Sequence, residues 1–87
     1  MAAPATLHVR VISPDKLLYD GDASLVIAPG TIDTLGIFPG HTPFYAELQK
    51  GEIVIQGEKE ELFQLKTGII RLRDTTLTII LIPPDIE

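Results

Sequence analysis

The sequence predicts an all-β fold, a flattened β-sandwich or barrel of about ten short strands in two sheets. Apolar residues recur with a period of two in short runs rich in Val, Ile, Leu and Thr. Gly, Pro or Asp interrupts these runs about every eight to twelve residues. No segment carries a capped helical period. These observations together predict short strands joined by tight turns and packed in two layers.

The first strand is expected at Leu7 to Ser13, where apolar and polar residues alternate before Pro14. The segment Tyr19-Asp20-Gly21-Asp22 follows and has the composition of a turn. It is predicted to fold a strand at Leu17 to Tyr19 back onto a strand at Ala23 to Ile27.

Two further hairpins are predicted in the second half of the chain. Their strands are expected at Glu52 to Ile55, Leu62 to Leu65, Ile69 to Arg73 and Leu77 to Ile82. Gln56 to Glu60 would join the first pair, and Asp74-Thr75 the second. The best helical candidate, Phe44 to Gln49, is short and is followed closely by Gly51.

The segment Leu35 to Pro43 is predicted to be a stiff loop. Pro39 and Pro43 fix their own φ angles and push the preceding residues into extended conformations. Gly36 and Gly40 can take a positive φ or allow another backbone to approach. A stiff, mostly uncharged loop suits contact with a macromolecule better than chemistry on a substrate.

The chain of 87 residues is expected to form one domain, 1–87, with a frayed N-terminal arm at 1–5 and a C-terminal tail at 83–87. A domain of this size buries only about 60–65% of its unfolded surface. The absence of cysteine excludes disulfides and thiolate catalysis and fits a reducing compartment. The two histidines are far apart in sequence, which argues against a zinc site.

The charge balance argues against a nucleic-acid partner. Twelve acidic and seven basic residues give a net charge of −5, which a phosphate backbone repels. Arg71, Arg73 and Lys66 are too few and too mixed with carboxylates to form a basic stripe. No run reaches the roughly 18 apolar residues of a membrane span, and no direct lipid binding is expected.

The last strand indicates an apolar outer surface. From Ile79 onward both of its faces are apolar, and Val54 and Ile70 also break the alternation of their strands. These residues lie either where strands cross between the sheets or on an outer face that meets a partner. With 45% hydrophobic residues in so small a chain, a partner is the better interpretation.

His41 is the first residue to test for catalysis, because histidine is the commonest general acid or base and Asp33 could approach it across the loop. No serine or cysteine follows Ser24 in the chain, so a nucleophile is missing. The glycines lack the spacing and the lysine of a phosphate-binding loop. We therefore expect no catalytic residue, no cofactor and no metal, and a turn-bracing or interface role for His41.

A series of elements along almost the whole chain matches one known pattern in order and spacing. They are Leu7 to Ser13, Pro14, Leu18-Tyr19-Asp20-Gly21, Leu25 to Ala28, Leu35 to Pro43, Leu48, Gly51 to Ile55, Glu58 to Leu65, Gly68 to Arg73 and Thr76 to Leu81. In this order the chain resembles the N-terminal domain of the epsilon subunit of rotary F-type ATP synthases. The resemblance implies a β-sandwich in the central rotor stalk that performs no bond chemistry.

The resemblance also implies two partners, the gamma subunit and the c-subunit ring. It places the ring contact at Thr31, Ile32, Asp33 and Thr34 together with His41 and Thr42. The gamma contact is expected on an outer sheet face that includes Val54, Ile70, Ile80 and Ile82. Through these partners the chain would couple proton-driven rotation to ATP synthesis on the cytoplasmic face of a bacterial inner membrane, and it would be a monomer when isolated.

Two departures from the family pattern bear on function. Many relatives have an acidic Ser-Glu-Gly-Glu segment before Leu-Gly-Ile, where this chain has Thr31-Ile32-Asp33-Thr34, so hydrogen bonds or Asp33 alone would replace a pair of carboxylates. Most bacterial relatives continue into two helices that inhibit ATP hydrolysis, whereas this sequence stops at Glu87. The alternative function is a free-standing sandwich that binds a peptide or a glycan, for which only five aromatic residues and no Trp are available.

Overall fold

A computed structural model describes residues 6–84, which form eight β-strands. The strands are β1 (Leu7–Ile12), β2 (Leu17–Pro29), β3 (Thr34–Ile37), β4 (Phe44–Leu48), β5 (Gly51–Gly57), β6 (Glu60–Leu65), β7 (Thr67–Arg73) and β8 (Thr76–Ile82). None of the described residues forms a helix of the length and apolar character needed to cross a membrane. The all-β prediction is therefore confirmed.

All eight strands belong to one hydrogen-bonded sheet with the order β4-β7-β8-β1-β2-β5-β6, and β3 pairs with β2. Every pairing is antiparallel except that of β1 with β8, which joins the first and last strands in parallel. Eight strands in one folded sheet replace the expected ten or so in two sheets. The sheet becomes a sandwich because β2 bends.

The bend in β2 is visible in its buried residues. Ala23 is buried at an odd position, whereas Val26 and Ala28 are buried at even positions. A register irregularity between Ala23 and Leu25 accounts for the change, because an extra residue in one strand reverses which side chains face inward. Before the bend β2 pairs with β1, and after it β2 pairs with β3 and β5. We call β4-β7-β8-β1 with the first half of β2 layer 1, and the second half of β2 with β3, β5 and β6 layer 2.

A single hydrophobic core lies between the two layers. It contains the inward residues of every strand: Leu7, Val9, Val11, Ala23, Val26, Ala28, Ile37, Leu48, Ile53, Ile55, Leu65, Ile70, Leu72, Leu77, Ile79 and Leu81. Sixteen buried aliphatic side chains are a modest core, as the chain length requires. Since one core separates the layers, their outer faces point in opposite directions.

One local expectation was wrong, and the short helical candidate is a strand. Tyr19-Asp20-Gly21-Asp22 is not a turn, because Asp20, Gly21 and Asp22 pair with Arg10, Val9 and His8 of β1 inside the continuous strand β2. The helical candidate at Phe44 to Gln49 is strand β4, held by pairing with β7. In both places contacts with a distant strand override a local signal.

The other two hairpins are confirmed. β5 pairs with β6 across Glu58 and Lys59, and β7 pairs with β8 across Asp74 and Thr75. Asp74 has a φ of 58°, a left-handed conformation that Asp tolerates in tight turns. The expected arm at 1–5 and the last three residues of the expected tail lie outside the described residues. Pro83 and Pro84 follow β8 and are exposed.

Candidate interaction surfaces

The outer face of layer 1 carries two exposed isoleucines on one strand. Ile80 is 43% exposed and Ile82 39% exposed, and both point away from the core on β8. A shallow depression of about 140 Å³ lies beside them, lined by Tyr45, Ile69, Ile70, Arg71, Thr78 and Ile80. The prediction that the last strand is apolar on both faces is confirmed, because Ile79 and Leu81 of the same strand are buried in the core.

Ile70 borders this depression, but its side chain does not belong to the exposed surface. Its side chain is fully buried in the core, so the expectation that it lies on an outer sheet face was wrong. The outward residue of the pair Ile69-Ile70 is Ile69, which pairs with Ile80. The sequence held the signal that fixes this orientation: Arg71 and Arg73 are exposed, so residue 69 shares their face and residue 70 faces inward.

Val54 lies on a different surface from Ile80. It pairs with Ile27 of β2 on one side and Leu62 of β6 on the other, which places all three on the outer face of layer 2. Leu62 is 53% exposed and the other two are half-buried. The residues expected to form one gamma contact therefore divide between two opposite faces and the core.

The loop at residues 30–33, between β2 and β3, projects an apolar side chain. Ile32 is 96% exposed. The flanking backbone is braced against β4, because the amide of Thr31 donates to the carbonyl of Glu47 at 3.2 Å and the amide of Gln49 donates to that of Pro29 at 2.8 Å. A Cβ on Gly30 would lie 2.4 Å from the Asp33 carbonyl oxygen, so this tight turn requires glycine.

His41 and Thr42 lie at the other end of β3 from this loop. β3 begins at Thr34 and ends at Ile37, three residue steps or roughly 10 Å at 3.3 Å per residue. The two halves of the expected ring contact are therefore separated by the length of β3. His41 is exposed, its ring packs against Phe44 at a centroid distance of 5.1 Å, and its Nδ1 donates to the Thr42 carbonyl at 2.7 Å.

Gly40 and Gly36 differ in backbone conformation: only Gly40 has a positive φ. Gly40 has a φ of +86°, the left-handed conformation predicted for a glycine in this loop. Gly36 has no positive φ, and a Cβ built on it would meet no atom within 4 Å. The predicted loop at Leu35 to Pro43 is therefore partly wrong, because its first three residues, Gly36 among them, belong to strand β3, and the loop that follows needs Gly40 for its backbone.

A polar cluster occupies the margin of the layer 1 face, on β1 and β2. The Nε2 atom of His8 lies 2.7 Å from Asp20 Oδ1, and its Nδ1 atom lies 3.4 Å from Asp22 Oδ1. Arg10 Nε is 3.7 Å from Asp20 Oδ2. These pairs join residues that lie directly or diagonally opposite each other on β1 and β2 and so favour this strand register. All four side chains are substantially exposed, so the pairs contribute little to stability. Within residues 6–84, no three His, Asp or Glu side chains converge to hold a metal ion.

Tyr19 lies on β2, and its side chain packs against the edge of the core. Its ring packs edge-on against Phe63 at 6.2 Å, and its hydroxyl donates to the Asp22 carbonyl at 3.4 Å. Burial raises the pKa of this hydroxyl above its ordinary value of 10.0, and the carboxylates of Glu61 and Asp22 raise it further. The exposed aromatics Phe38 and Tyr45 lie apart, on the loop after β3 and on β4, so the described residues form no aromatic platform for a glycan.

These features describe a class of protein, a small β-sandwich with apolar residues on both outer faces and a braced loop between β2 and β3. Residues 6–81 match the family model described as the β-sandwich domain of the ATP synthase delta/epsilon chain. The chain belongs to this family. The resemblance found in the sequence is confirmed.

Curated relatives agree with this assignment. The chain is 37% identical over 78 residues to the ATP synthase epsilon chain of Bordetella parapertussis, covering 87% of this chain and 56% of the relative. It is 39% identical over 75 residues to the ATP synthase epsilon chain of Leptospira borgpetersenii, covering 85% of this chain and 59% of the relative. The chain thus spans somewhat more than half the length of these relatives.

Two solved structures have the same fold. One is a chain from a cryo-EM structure of the Euglena gracilis mitochondrial ATP synthase (OSCP/F1/c-ring), with a TM-score of 0.84 and 16% identity over 93% of this chain and 53% of that one. The other comes from the Tetrahymena thermophila mitochondrial ATP synthase (central stalk/c-ring), with a TM-score of 0.79 and 19% identity over 94% of this chain and 66% of that one.

Proposed function

We propose that this chain is the β-sandwich of an epsilon subunit in the central rotor stalk of a proton-transporting F-type ATP synthase, where it joins the gamma subunit to the c-subunit ring. The family match over residues 6–81 carries the proposal. In this role the chain couples proton-driven rotation to ATP synthesis and carries out no bond chemistry of its own.

The ring contact belongs to the loop at residues 30–33 and to Thr34. Ile32 is the most exposed large apolar residue of those described, and Asp33 is the one carboxylate beside it. The loop is tied to β4 by two backbone hydrogen bonds, so a load on Ile32 reaches the sheet directly. His41 and Thr42, at the far end of β3, belong to a separate contact.

The gamma contact belongs to the outer face of layer 1, at Ile80 and Ile82. β4 braces the ring loop and pairs with β7, and β7 pairs with β8, which carries both isoleucines. The load path between the two contacts therefore crosses only two ladders of hydrogen bonds. This short path suits an element that must transmit torque without shearing.

The partners place the chain at the membrane without any lipid contact of its own. A c-subunit ring lies in an energy-transducing membrane, and the named bacterial relatives favour the cytoplasmic face of a bacterial inner membrane. When isolated, the sandwich is expected to be a monomer.

Binding to the gamma subunit of the same organism tests the proposal. The wild-type chain should co-purify with gamma, and Ile80→Asp should abolish the complex by placing a charge in an apolar contact. Leu62→Asp is the matched control, because it puts the same charge at an equally exposed aliphatic residue on the opposite face. Loss of binding in Leu62→Asp alone would move the contact to layer 2, and failure of the wild-type chain to bind gamma or the ring would refute the function.

A further inference from the structure

The outer face of layer 1 arranges its side chains in rows that cross the strands. One row is apolar: Ile69 pairs with Ile80, Ile80 with Ile12, and Ile12 with Leu17. Ile80 is 43% and Leu17 47% exposed, and the two between them are half-buried. Glu47, paired with Ile69, ends this row on β4.

The neighbouring row is polar and contains arginine. It runs through Tyr45, Arg71, Thr78, Arg10 and Asp20 across five strands. Arg73 projects from the same face two residues further along β7. The described strands thus bring all three arginines of the chain to one face, whereas its four lysines lie outside the strands.

The two arginines on β7 have no acidic partner within the described chain. Of the acids on this face, Asp20 lies against His8 and Arg10 and Asp22 lies against His8, while Glu47 projects from β4 opposite Ile69 and, among the described residues, forms no ion pair with either arginine. No ion pair or side-chain hydrogen bond of Arg71 or Arg73 occurs within residues 6–84. On the β4, β7 and β8 part of the face, two arginines therefore stand against the single carboxylate of Glu47, which leaves it positive in a chain whose net charge is −5.

The opposite face differs in the sign of its charge. The apolar row Ile27, Val54 and Leu62 on layer 2 is flanked by Glu52 and Glu60 on the same strands, with no arginine or lysine among the strand residues that face outward there. The two faces present similar apolar rows but differ in the charge beside them. Charge complementarity therefore favours binding of a given partner to one face over the other.

We propose that the outer face of layer 1 binds a partner surface that presents an apolar strip flanked by carboxylates, with Arg71 and Arg73 pairing with those carboxylates. The inference rests on the proposed function, in which this partner is the gamma subunit. Guanidinium groups suit this position, because they bind carboxylates with two hydrogen bonds and their stems pack on apolar surface. Ile80 and Ile69 supply the apolar contact, and the arginines fix its orientation.

Charge reversal on the face tests the partner's chemistry. Binding of the purified chain to the gamma subunit is measured by calorimetry at several salt concentrations. Arg71→Glu and Arg73→Glu should each weaken binding by about tenfold or more, because a like charge then faces the partner's carboxylates. Arg71→Gln should weaken it less and lower its salt dependence. Lys59→Glu, the same reversal at the tip of the β5–β6 hairpin, should change affinity by less than about twofold.

The outcomes separate the inference from the proposed function. If the wild-type chain and both reversals bind equally while Ile80→Asp does not bind, the face is correct and the acidic partner is wrong. Tighter binding of Arg71→Glu would show that the partner is basic and would also overturn the inference. If the wild-type chain does not bind gamma at all, the proposed function fails and the inference fails with it. Circular dichroism of each variant verifies that these exposed substitutions leave the fold intact.

Discussion

Val54 and Ile80 project from opposite outer faces of the sandwich. Both interrupt the apolar alternation of their strands in the same way, but Val54 lies on β5 in layer 2 and Ile80 on β8 in layer 1. A rigid partner that covers one face cannot reach the other across the core. A binding contact must therefore be assigned to each face separately. The charged residues beside the two apolar rows also differ between the faces.

Because Ile70 is buried and Ile80 is exposed, truncating Ile70 should lower the free energy of unfolding much more than truncating Ile80. Ile70→Ala should lower the free energy of unfolding by about 2–5 kcal/mol, because it leaves a cavity in a fully packed core. Ile80→Ala, at a side chain that is 43% exposed, should cost less than about 1 kcal/mol. Urea denaturation of the two variants measures the difference. Equal losses would place Ile80 in the core as well and would contradict the assigned face.

Gly57 and Gly36 should respond oppositely to an added methyl group. A Cβ on Gly57 would lie 2.5 Å from the backbone carbonyl of Asp22, so Gly57→Ala should destabilise by about 1–3 kcal/mol. Gly36→Ala meets open space and should be neutral or stabilising by up to about 1 kcal/mol, since alanine restricts the unfolded chain. Thermal unfolding of both variants is the measurement. A tolerated Gly57→Ala would mean that β2 and β5 are not held this closely.

Tyr19 should make the fold sensitive to alkali. Because the folded pKa is raised, the folded state holds the phenol proton more tightly, and the stability that this contributes is present below about pH 10 and lost as pH rises through the folded pKa. In a Tyr45→Phe background, tyrosinate absorbance then reports Tyr19 alone and should appear above pH 10.0, the ordinary value. Tyr19→Phe should lose less stability than the wild-type chain over this range. Ionisation of Tyr19 below pH 10.0 would contradict its burial.

Substitution of Ile32 should weaken binding to the c-subunit ring while leaving the stability of the fold almost unchanged. Its side chain is 96% exposed, so Ile32→Ser should change the free energy of unfolding by no more than about 0.5 kcal/mol. The same variant should bind the c-subunit ring more weakly, because the apolar contact is lost. Phe38→Ser, at an exposed aromatic beyond the other end of β3, is the control and should keep ring binding. If the two variants bind equally, the loop at 30–33 is not the ring contact.

Period-two patterning was enough to determine the all-β class and the β5–β6 and β7–β8 hairpins, because each depends on residues that are close in sequence. The family resemblance came from the order and spacing of motifs along the chain. Orientation of a single strand was also within reach: the exposed Arg71 and Arg73 fix Ile70 as an inward residue, although its apolar neighbour Ile69 hides the pattern.

Only the tertiary structure decided how distant segments meet. The pairing of β1 with β2 turned the apparent turn at Asp20 to Asp22 into a continuous strand, and the irregularity near Ala23 folded one sheet into two layers. These events placed Val54 and Ile80 on opposite faces and brought Arg10 to the same face as Arg71 and Arg73, some sixty residues further along the chain. Strand order and register depend on cross-strand contacts between residues distant in sequence, and a local pattern does not contain them.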